Sequence, residues 1–195
     1  MRNKRNALKC AFLAGAVVVT GVLAGTAGVL AGDDGATGTA SNVPINETTF
    51  PDENFRNYVL EQIDTNDNEV LDATEISGTK VIDCNSKSIA DLKGVEYFNA
   101  LTELDCSWNQ LTELDLSKNT VLERLCCGGN QLTELNLSNN TALYTLSCSY
   151  NQLKKLDCKN TLVNYVDASF NFLKNVDNVP DGCCVRNVCS PKDGI

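Results

Sequence analysis

The sequence predicts an α/β-type repeat protein: a solenoid of about five short-strand rungs with parallel sheets and a small helical cap at its N-terminal end. Three observations lead to this prediction. Apolar residues recur every 21 positions over much of the chain, a stretch with helical periodicity precedes them, and a charge-free apolar segment opens the sequence. A solenoid needs roughly three or more such units to bury a continuous core.

The first 31 residues have the composition of an export signal. Four basic residues and no acidic one lie within residues 1–9, and residues 11–31 are uncharged and end in Val29, Leu30 and Ala31. This pattern is typical of a cleaved signal peptide. The apolar run is also about 20 residues long, which suits an uncleaved N-terminal membrane anchor as the alternative. Both interpretations predict a secreted or extracellular protein associated with the cell surface.

Residues 32–49 contain mainly Gly, Ala, Thr, Ser and Asn with a few acids and little to bury, and they predict a flexible linker. A helical cap is predicted next, over residues 50–79. Asp52 is placed to cap a helix whose apolar residues share one face at helical spacing. These apolar residues are Phe55, Val59, Leu60 and Ile63.

The cap contains a segment with the spacing of an EF-hand calcium loop. Oxygen-bearing side chains stand at the first, third, fifth, ninth and twelfth positions, and the backbone carbonyl of Val70 completes the ligand set. The side chains are those of Asp64, Asn66, Asn68, Asp72 and Glu75. Glu69 stands where the loop favours glycine, and a side chain there costs about 1 kcal/mol. Ca²⁺ is therefore the one cofactor that the sequence predicts, and a polar turn between two helices is the alternative.

The repeats extend over residues 80–180. The units 101–121, 122–142 and 143–162 align residue by residue, a fourth unit follows one residue out of step, and a degenerate unit precedes them with Ile82, Cys84, Ile89 and Leu92. Each unit contains an L-x-[LC]-x-x-N pattern twice. Alternation at period two predicts a short strand at each occurrence, and the recurring Asn is expected to satisfy buried backbone groups at the bend.

Five cysteines occupy inward strand positions and are expected to act as small core residues, with disulfides between rungs as the less favourable alternative. They are Cys84, Cys106, Cys127, Cys148 and Cys158. Cys126 is expected to point outwards. The tail at 181–195 contains Cys183, Cys184 and Cys189, which are candidates for a disulfide that covers the end of the core, because export places the chain in an oxidising setting.

The doubled pattern at 21 residues resembles the nested leucine-rich repeats of exported bacterial proteins, internalin-like in the broad sense. The segment from Phe50 to Ile76 is similar to the helical module that often precedes such repeats. The resemblance covers about residues 50–178 and implies a surface or secreted binding protein. A shared fold does not specify the ligand.

One repeat position carries aromatic residues immediately before the recurring Asn: Trp108, Tyr150 and Phe170, with Gly128 and Gly129 leaving a gap between them. Together with Arg124 and Tyr165 on outward strand positions, these rings predict a platform for an extended peptide or a sugar. The alternative is that the rings fold down over the edge of the coil.

The composition restricts the classes of function. The chain has no histidine, so histidine-dependent triads, dyads and metal sites are excluded. Beyond residue 31, 12 basic residues face 25 acidic ones, which disfavours nucleic acid as a partner. Repeat carboxylates on an open, wet face do not form a glycosidase pair, so an enzyme is not expected. The prediction is a binding or adhesion module for an extracellular protein or glycan, with contact to membrane only through an uncleaved N-terminal segment; a structural spacer or display scaffold is the alternative.

Overall fold

A computed structural model describes residues 42–186. The predicted export signal, most of the predicted linker and Cys189 lie outside the described residues. Within residues 42–186, no helix has both the length and the apolarity needed to cross a membrane. The elements in chain order are β1 (Val43–Pro44), α1 (Glu53–Gln62), β2 (Val70–Leu71), α2 (Ala73–Gly78), β3 (Val81–Asp83), a 3₁₀ turn (Val95–Tyr97), β4 (Glu103–Asp105), β5 (Arg124–Cys126), β6 (Thr145–Ser147), β7 (Tyr165–Asp167) and β8 (Cys184–Arg186).

Strands β3 to β8 form one parallel sheet in the order of the chain. Each strand pairs in register with the next, so that Leu104 lies beside Leu125 and Leu125 beside Leu146. The central residue points into the core and is buried in β3 to β7. The 21-residue period therefore stacks successive coils around a shared apolar interior, and the predicted solenoid is confirmed.

The second pattern in each unit does not form the predicted second sheet. The segments around Leu116 and Leu137 contain turns and no strand, and the one bridge at this position joins Asp157 to Asp177. Leu116 and Leu137 are nevertheless buried. Apolar alternation over three residues thus specifies which side chains point inwards. Regular strand pairing also requires a run of extended backbone, and here the turn that follows interrupts that run.

Two predicted boundaries are displaced. The linker was expected to extend to residue 49, but Val43 and Ile45 are buried and β1 pairs antiparallel with β2, so the cap begins before residue 50. The solenoid was expected to end at residue 180, but β8 adds a sixth strand to the sheet through Cys184 and Val185. Both segments are short and poor in apolar residues, which is why composition alone assigned them to a linker and a tail.

The cap is held on the first rung by side chains of α1. Asp52 accepts a hydrogen bond from the N–H of Phe55, which caps the helix, and its second oxygen accepts from Ala90 N at 2.8 Å. Asn54 Nδ2 donates to Ser88 O, and the backbone N–H of Asp83 donates to the hydroxyl of Tyr58. One face of the predicted helix is thus fixed against the solenoid.

An aromatic cluster fills the space between the cap and the first rung. Phe50 is fully buried and lies against Phe55, Tyr97 and Phe98, with ring centroids 5.8 to 6.4 Å apart. Gly94 makes room for this ring: a Cβ added there would lie 2.2 Å from Phe50 Cδ1. The N-terminal end of the core is therefore closed by the largest fully buried side chains among the described residues.

The asparagines of the first pattern form a continuous ladder, the first asparagine ladder. In each rung the amide Nδ2 donates to carbonyls of its own and the preceding rung, and Oδ1 accepts from the backbone of the preceding rung. Its members are Asn109, Asn130, Asn151 and Asn171. The expectation that these side chains satisfy buried backbone groups is confirmed.

The second asparagine ladder, Asn119 and Asn140, is only half satisfied. Asn140 Nδ2 donates to Leu116 O and Asn119 O, both at 3.0 Å, and Asn119 Nδ2 donates to Val95 O and Phe98 O. The Oδ1 atoms of both residues are buried and accept no hydrogen bond. In the next rung the same position is occupied by Thr161, whose hydroxyl donates to Cys158 O.

Candidate functional site

Trp108, Tyr150 and Phe170, the aromatic column, follow the ends of β4, β6 and β7 in the same repeat position. Their φ angles are 55°, 54° and 55°, and Gly129 occupies the equivalent position of β5 with φ 68°. Each residue lies between an inward cysteine or alanine and an inward asparagine, so the left-handed turn directs its side chain outwards. Such a backbone costs about 1 kcal/mol for each residue other than glycine, and glycine would be the less costly choice at all four positions.

The three rings touch one another along the solenoid. Tyr150 and Phe170 are stacked with centroids 4.1 Å apart and an interplanar angle of 14°. Trp108 and Tyr150 are 5.8 Å apart at 38°, although one rung separates them. The exposed fractions are 62%, 48% and 45% for Trp108, Tyr150 and Phe170. The rings therefore form one exposed ridge and do not fold down over the edge of the coil.

Gly129 explains how Trp108 reaches Tyr150. A Cβ added at Gly129 would lie 2.6 Å from Cε3 of the indole, so the ring covers the glycine. The neighbouring Gly128 is packed against the backbone of Ser149, where an added Cβ would lie 3.0 Å from the carbonyl oxygen. The gap expected at these two glycines is therefore absent, because the indole of the preceding rung occupies it.

Short polar side chains border the aromatic column on the side of the strands. Ser169 N and Oγ donate to Asp167 Oδ1 at 3.1 and 2.6 Å, and the backbone N–H and hydroxyl of Ser107 donate to Asp105 in the same way. These Asx turns tighten the chain where each strand ends. They fix the backbone immediately before Trp108 and Phe170.

Arg124 and Tyr165 are not brought to the aromatic column. Both occupy the first position of their strands, at the opposite end from the rings, and Tyr165 is half-buried. Arg124 Nε lies 3.7 Å from Glu103 Oε2 on the neighbouring strand, with both side chains about half exposed. The sequence showed that these residues face outwards, but it did not show which end of the strand they occupy relative to the rings.

One exposed ring beside the column was not predicted. Phe172 is 53% exposed and follows Asn171, in the position that Gln110, Gln131 and Gln152 occupy in the preceding rungs. Comparison of the repeat positions would have revealed it, because an aromatic residue replaces glutamine there. Phe172 widens the apolar surface at the C-terminal end of the aromatic column.

The inward cysteines of the first pattern lie in one file, the cysteine column, which is completely buried. Burial raises the pKa of Cys84 to about 12 and raises the pKa values of the thiols of Cys106, Cys127 and Cys148 well above their usual range. Thiols in such surroundings remain protonated and react poorly. The prediction that these cysteines act as core residues agrees with their burial.

The other cysteines lie at or near the surface. Cys126 is half-buried on the outer face of β5, as its position predicted. Cys183 and Cys184 carry free thiols. The expected disulfide is therefore not formed between Cys183 and Cys184. A pairing of either residue with Cys189 stays a prediction, since Cys189 lies outside the described residues.

The predicted calcium loop contains a left-handed residue at its sixth position. Asp67 and Glu69 have φ angles of 56° and 61°, so Glu69 adopts the left-handed conformation that its position demands. Asp64 is buried, and its carboxylate accepts from the N–H groups of Asn68 at 3.3 Å and Glu69 at 2.9 Å. Asn68 Oδ1 accepts from Val70 N. The turn is thus organised around the side chains of its first and fifth positions.

The carboxylates of the loop are also used as hydrogen-bond acceptors. Glu75 Oε1 accepts from Thr65 N and Oγ, its Oε2 accepts from Asp72 N, and Asp72 in turn caps α2. Among residues 42–186, no three acidic or thiol side chains come together as a metal-binding cluster. The loop therefore provides suitable oxygen ligands and a suitable turn, through Asp64, Asn66, Asn68, Asp72 and Glu75. Calcium would have to compete with the hydrogen bonds that the carboxylates among these side chains already accept. Calcium binding stays a prediction.

Comparisons with known proteins agree with the repeat architecture. Residues 50–177 match the family described as the LRR domain of endo-beta-N-acetylglucosaminidase EndoS. The chain is 37% identical over 71 residues to Internalin J of Listeria monocytogenes serotype 4b (strain F2365), which covers 36% of this chain and 8% of that protein. The chain thus corresponds to a small part of this relative.

Solved structures of internalins have the same fold. The functional domain of InlJ from Listeria monocytogenes, described as including a cysteine ladder, superposes with a TM-score of 0.65 at 33% identity, over 71% of this chain and 31% of that one. The internalin inlF of strain F2365 superposes with a TM-score of 0.60 at 20% identity, over 72% of this chain and 49% of that one. At that identity the likeness concerns the fold alone.

Proposed function

Because the chain belongs to the leucine-rich-repeat family represented by the EndoS LRR domain, we propose that it is a secreted or surface-exposed binding module that holds a protein partner against its aromatic column. The observation that carries the proposal is the continuous ring contact of Trp108, Tyr150 and Phe170 at 45% to 62% exposure. Large exposed apolar patches on soluble proteins mark interaction sites. The internalin-like resemblance agrees with a binding role.

The stacking favours a protein over a glycan. A sugar binds an aromatic side chain by lying on the face of the ring, and one face each of Tyr150 and Phe170 is covered by their stacking. The exposed ring edges suit contacts with aliphatic side chains, with aromatic faces and with backbone carbonyls, because the edge of an aromatic ring is electropositive. Phe172 adds to this apolar surface.

The backbone gives a second reason for assigning function to these residues. Trp108, Tyr150 and Phe170 are held at positive φ, where each side chain destabilises the fold relative to glycine. Strained backbone persists where the surrounding structure enforces it, and it is concentrated at binding sites.

An array of extracellular proteins and glycans, probed with the chain, tests the proposal. We expect protein ligands whose binding is reduced at least tenfold, about 1.4 kcal/mol or more, by Tyr150→Ala or Phe170→Ala. Tyr144→Ala is the matched control, since Tyr144 is 53% exposed but lies before β6, at the other end of the strands.

Three results would contradict the proposal. Ligands that respond equally to Tyr144→Ala and Tyr150→Ala would place the binding surface elsewhere. Ligands that are exclusively glycans would exclude a protein partner at the aromatic column. An array with no ligand would favour the structural spacer or display scaffold.

A further inference from the structure

The second half of each coil presents a charged surface, the return face, formed by residues 112–118, 133–139 and 154–160 together with Lys174 and the loop 91–96. Backbone hydrogen bonds hold its rungs in register: Gln131 N donates to Leu111 O and Gln152 N to Leu132 O, both at 2.8 Å. Asn139 Nδ2 donates to Ser117 O of the preceding rung. Equivalent residues of successive rungs therefore lie in columns, about 4.8 Å apart per rung.

Charges of opposite sign are separated along the return face. One column of equivalent residues contains Glu113, Glu134 and Lys155. The adjacent column contains Thr112, Thr133, Lys154 and Lys174, and all these side chains are exposed. The rungs nearer the cap are acidic and the rungs nearer β8 are basic. The acidic half comprises Asp91, Glu96, Glu113, Asp115 and Glu134, and the basic half Lys154, Lys155, Lys159 and Lys174.

The separation of acidic from basic side chains along the return face is partial, but each half keeps a net charge of its own sign. Lys93 and Lys118 lie in the acidic half, and Asp157 and Asp177 lie in the basic half, which leaves net charges of −3 and +2. In the described part of the chain the one ion pair joins Arg124 to Glu103, on the sheet. The acids and lysines of the return face are thus not neutralised by ion pairs within the chain.

The acidic half is also concave. An open groove of about 910 Å³ crosses it, lined by Glu96, Glu113, Asp115 and Glu134 among others. The basic half continues the same columns with long lysine side chains. The return face thus carries an acidic groove and, next to it, a ridge of lysine side chains. The groove and the ridge are built on the same columns of equivalent residues.

We propose that two copies of this chain associate through the return face, antiparallel, across a two-fold axis that passes between the rungs of Glu134 and Lys155. Rotation about this axis places the lysine ridge of each copy on the acidic groove of the other. The axis also lies between the two columns, so Glu134 faces Lys154 of the second copy next to the axis, and Glu113 faces Lys174 of the second copy one rung further out. An isologous interface makes each of these contacts twice.

The repeat spacing is what allows these contacts to form together. Both copies have the same rise per rung, so a register that aligns Glu134 with Lys154 also aligns Glu113 with Lys174. Single exposed ion pairs contribute little, but charges arranged as a complementary network fix orientation and register. A parallel arrangement would place acid against acid and base against base, which disfavours it. The contact leaves the aromatic column free and is independent of the proposed function.

Charge reversal on the full 195-residue chain tests the dimer. Sedimentation equilibrium measures self-association at about 20 mM and about 500 mM NaCl, because charges on an exposed face are screened at the higher ionic strength. Two reversal variants are compared with the wild type: Glu113→Lys with Glu134→Lys, and Lys154→Glu with Lys174→Glu. All three proteins share residues 1–41, so differences between them report on the return face.

We expect a wild-type dimer that weakens as salt is raised, and self-association reduced about tenfold or more in each variant, since like charges then face each other. An equimolar mixture of the two variants is expected to restore dimers, because each copy again meets the opposite charge. This rescue also shows that both variants are folded. A wild type that stays monomeric at low salt, or a mixture that fails to associate, would overturn the proposal.

Discussion

The indole ring of Trp108 lies over Gly129 of the following rung, so closely that a Cβ at this glycine would be 2.6 Å from Cε3. The contact determines the shape of the aromatic column. With a side chain at residue 129, the indole could not lie flat across the rung, and its 5.8 Å approach to Tyr150 would be lost. The continuity of the aromatic column therefore depends on Gly129, which has no side chain at this repeat position.

Gly129→Ala should disrupt the aromatic column. The added Cβ collides with the indole, and the left-handed backbone at φ 68° adds strain, so we expect the free energy of unfolding to fall by about 2 kcal/mol. Trp108 is the single tryptophan of the chain, so near-ultraviolet circular dichroism from the indole reports the loss of ring order directly.

A double-mutant cycle separates the collision from the strain. In a Trp108→Ala background, Gly129→Ala should cost only the backbone strain, about 1 kcal/mol. Equal costs of Gly129→Ala in the two backgrounds would show that the indole and the glycine are energetically independent, contrary to the contact described above.

The two asparagine ladders should differ in their sensitivity to substitution. Asn130→Ala leaves Leu111 N unpaired in the core and removes one of the two amide donors to Cys106 O and to Cys127 O, so we expect a loss of about 2 to 4 kcal/mol. Asn140→Ala leaves Leu116 O and Asn119 O with their backbone donors and removes an oxygen that has no partner, so a loss of about 1 to 2 kcal/mol is expected. Chemical denaturation measures both.

Threonine provides the matched control, because Thr161 already occupies the second position in the next rung. Asn140→Thr should be milder than Asn130→Thr, in which the hydroxyl cannot reach all the backbone groups that the amide serves. Similar losses in the two ladders would indicate that the unpaired Oδ1 atoms have partners in solution, such as buried water.

The stacking of the core follows from the sequence because the same constraint acts in every rung. Leu104, Leu125 and Leu146 recur at a fixed period, and one register buries them all. The aromatic column is predictable in the same way as far as its position is concerned. Its ring contacts are not, because they depend on the orientation of Trp108 across a neighbouring rung, which no period in the sequence encodes.

Departures from prediction arise where a single rung differs from its neighbours. The pairing of Val43 with Leu71 and the addition of β8 each involve a segment that occurs once, so no repetition identifies it. The ends of a solenoid bury apolar surface against such segments, and local composition gives little warning of it.

The buried thiols should make the protein less stable in alkali. Burial raises the pKa of Cys106 well above its usual range in the folded state, so the thiol ionises first in the unfolded chain. The buried thiol therefore contributes its full stabilisation below the pKa of a cysteine in the unfolded chain, about 8.5. This contribution is lost as the pH rises above that value towards the pKa of the thiol in the folded protein. Denaturant unfolding between pH 8 and pH 11 follows this loss.

Cys106→Ala separates the thiol from other groups that titrate in alkali. Apart from a constant difference due to packing, the wild type should lose about 1.4 kcal/mol more per pH unit than the variant above the unfolded pKa. The wild-type and variant curves would be parallel if Cys106 ionised as easily in the folded protein as in the unfolded one, and this result would contradict its burial.

Calcium should stabilise the cap if the loop from Asp64 to Glu75 binds it. With the dissociation constants of extracellular calcium modules, about 0.1 to 1 mM, 10 mM calcium would add roughly 1.4 to 2.7 kcal/mol to the free energy of unfolding. Glu75→Gln should abolish the increment, because it removes the charge of the twelfth ligand. The quantity compared is the gain in free energy of unfolding that calcium adds to each protein. The absolute stabilities differ without calcium as well, because Glu75 also accepts hydrogen bonds from Thr65 and Asp72.

Glu69→Gly provides the opposite test of the same loop. Glu69 adopts φ 61°, so glycine should relieve about 1 kcal/mol of strain and bind calcium more tightly, since the turn is then formed without cost. Magnesium at the same concentration is the control for ionic strength and should add less, because it requires a more regular octahedral site. An identical response of the wild type, Glu69→Gly and Glu75→Gln to calcium would show that the segment is a polar turn, stabilised by the hydrogen bonds of Asp64 and Glu75 alone.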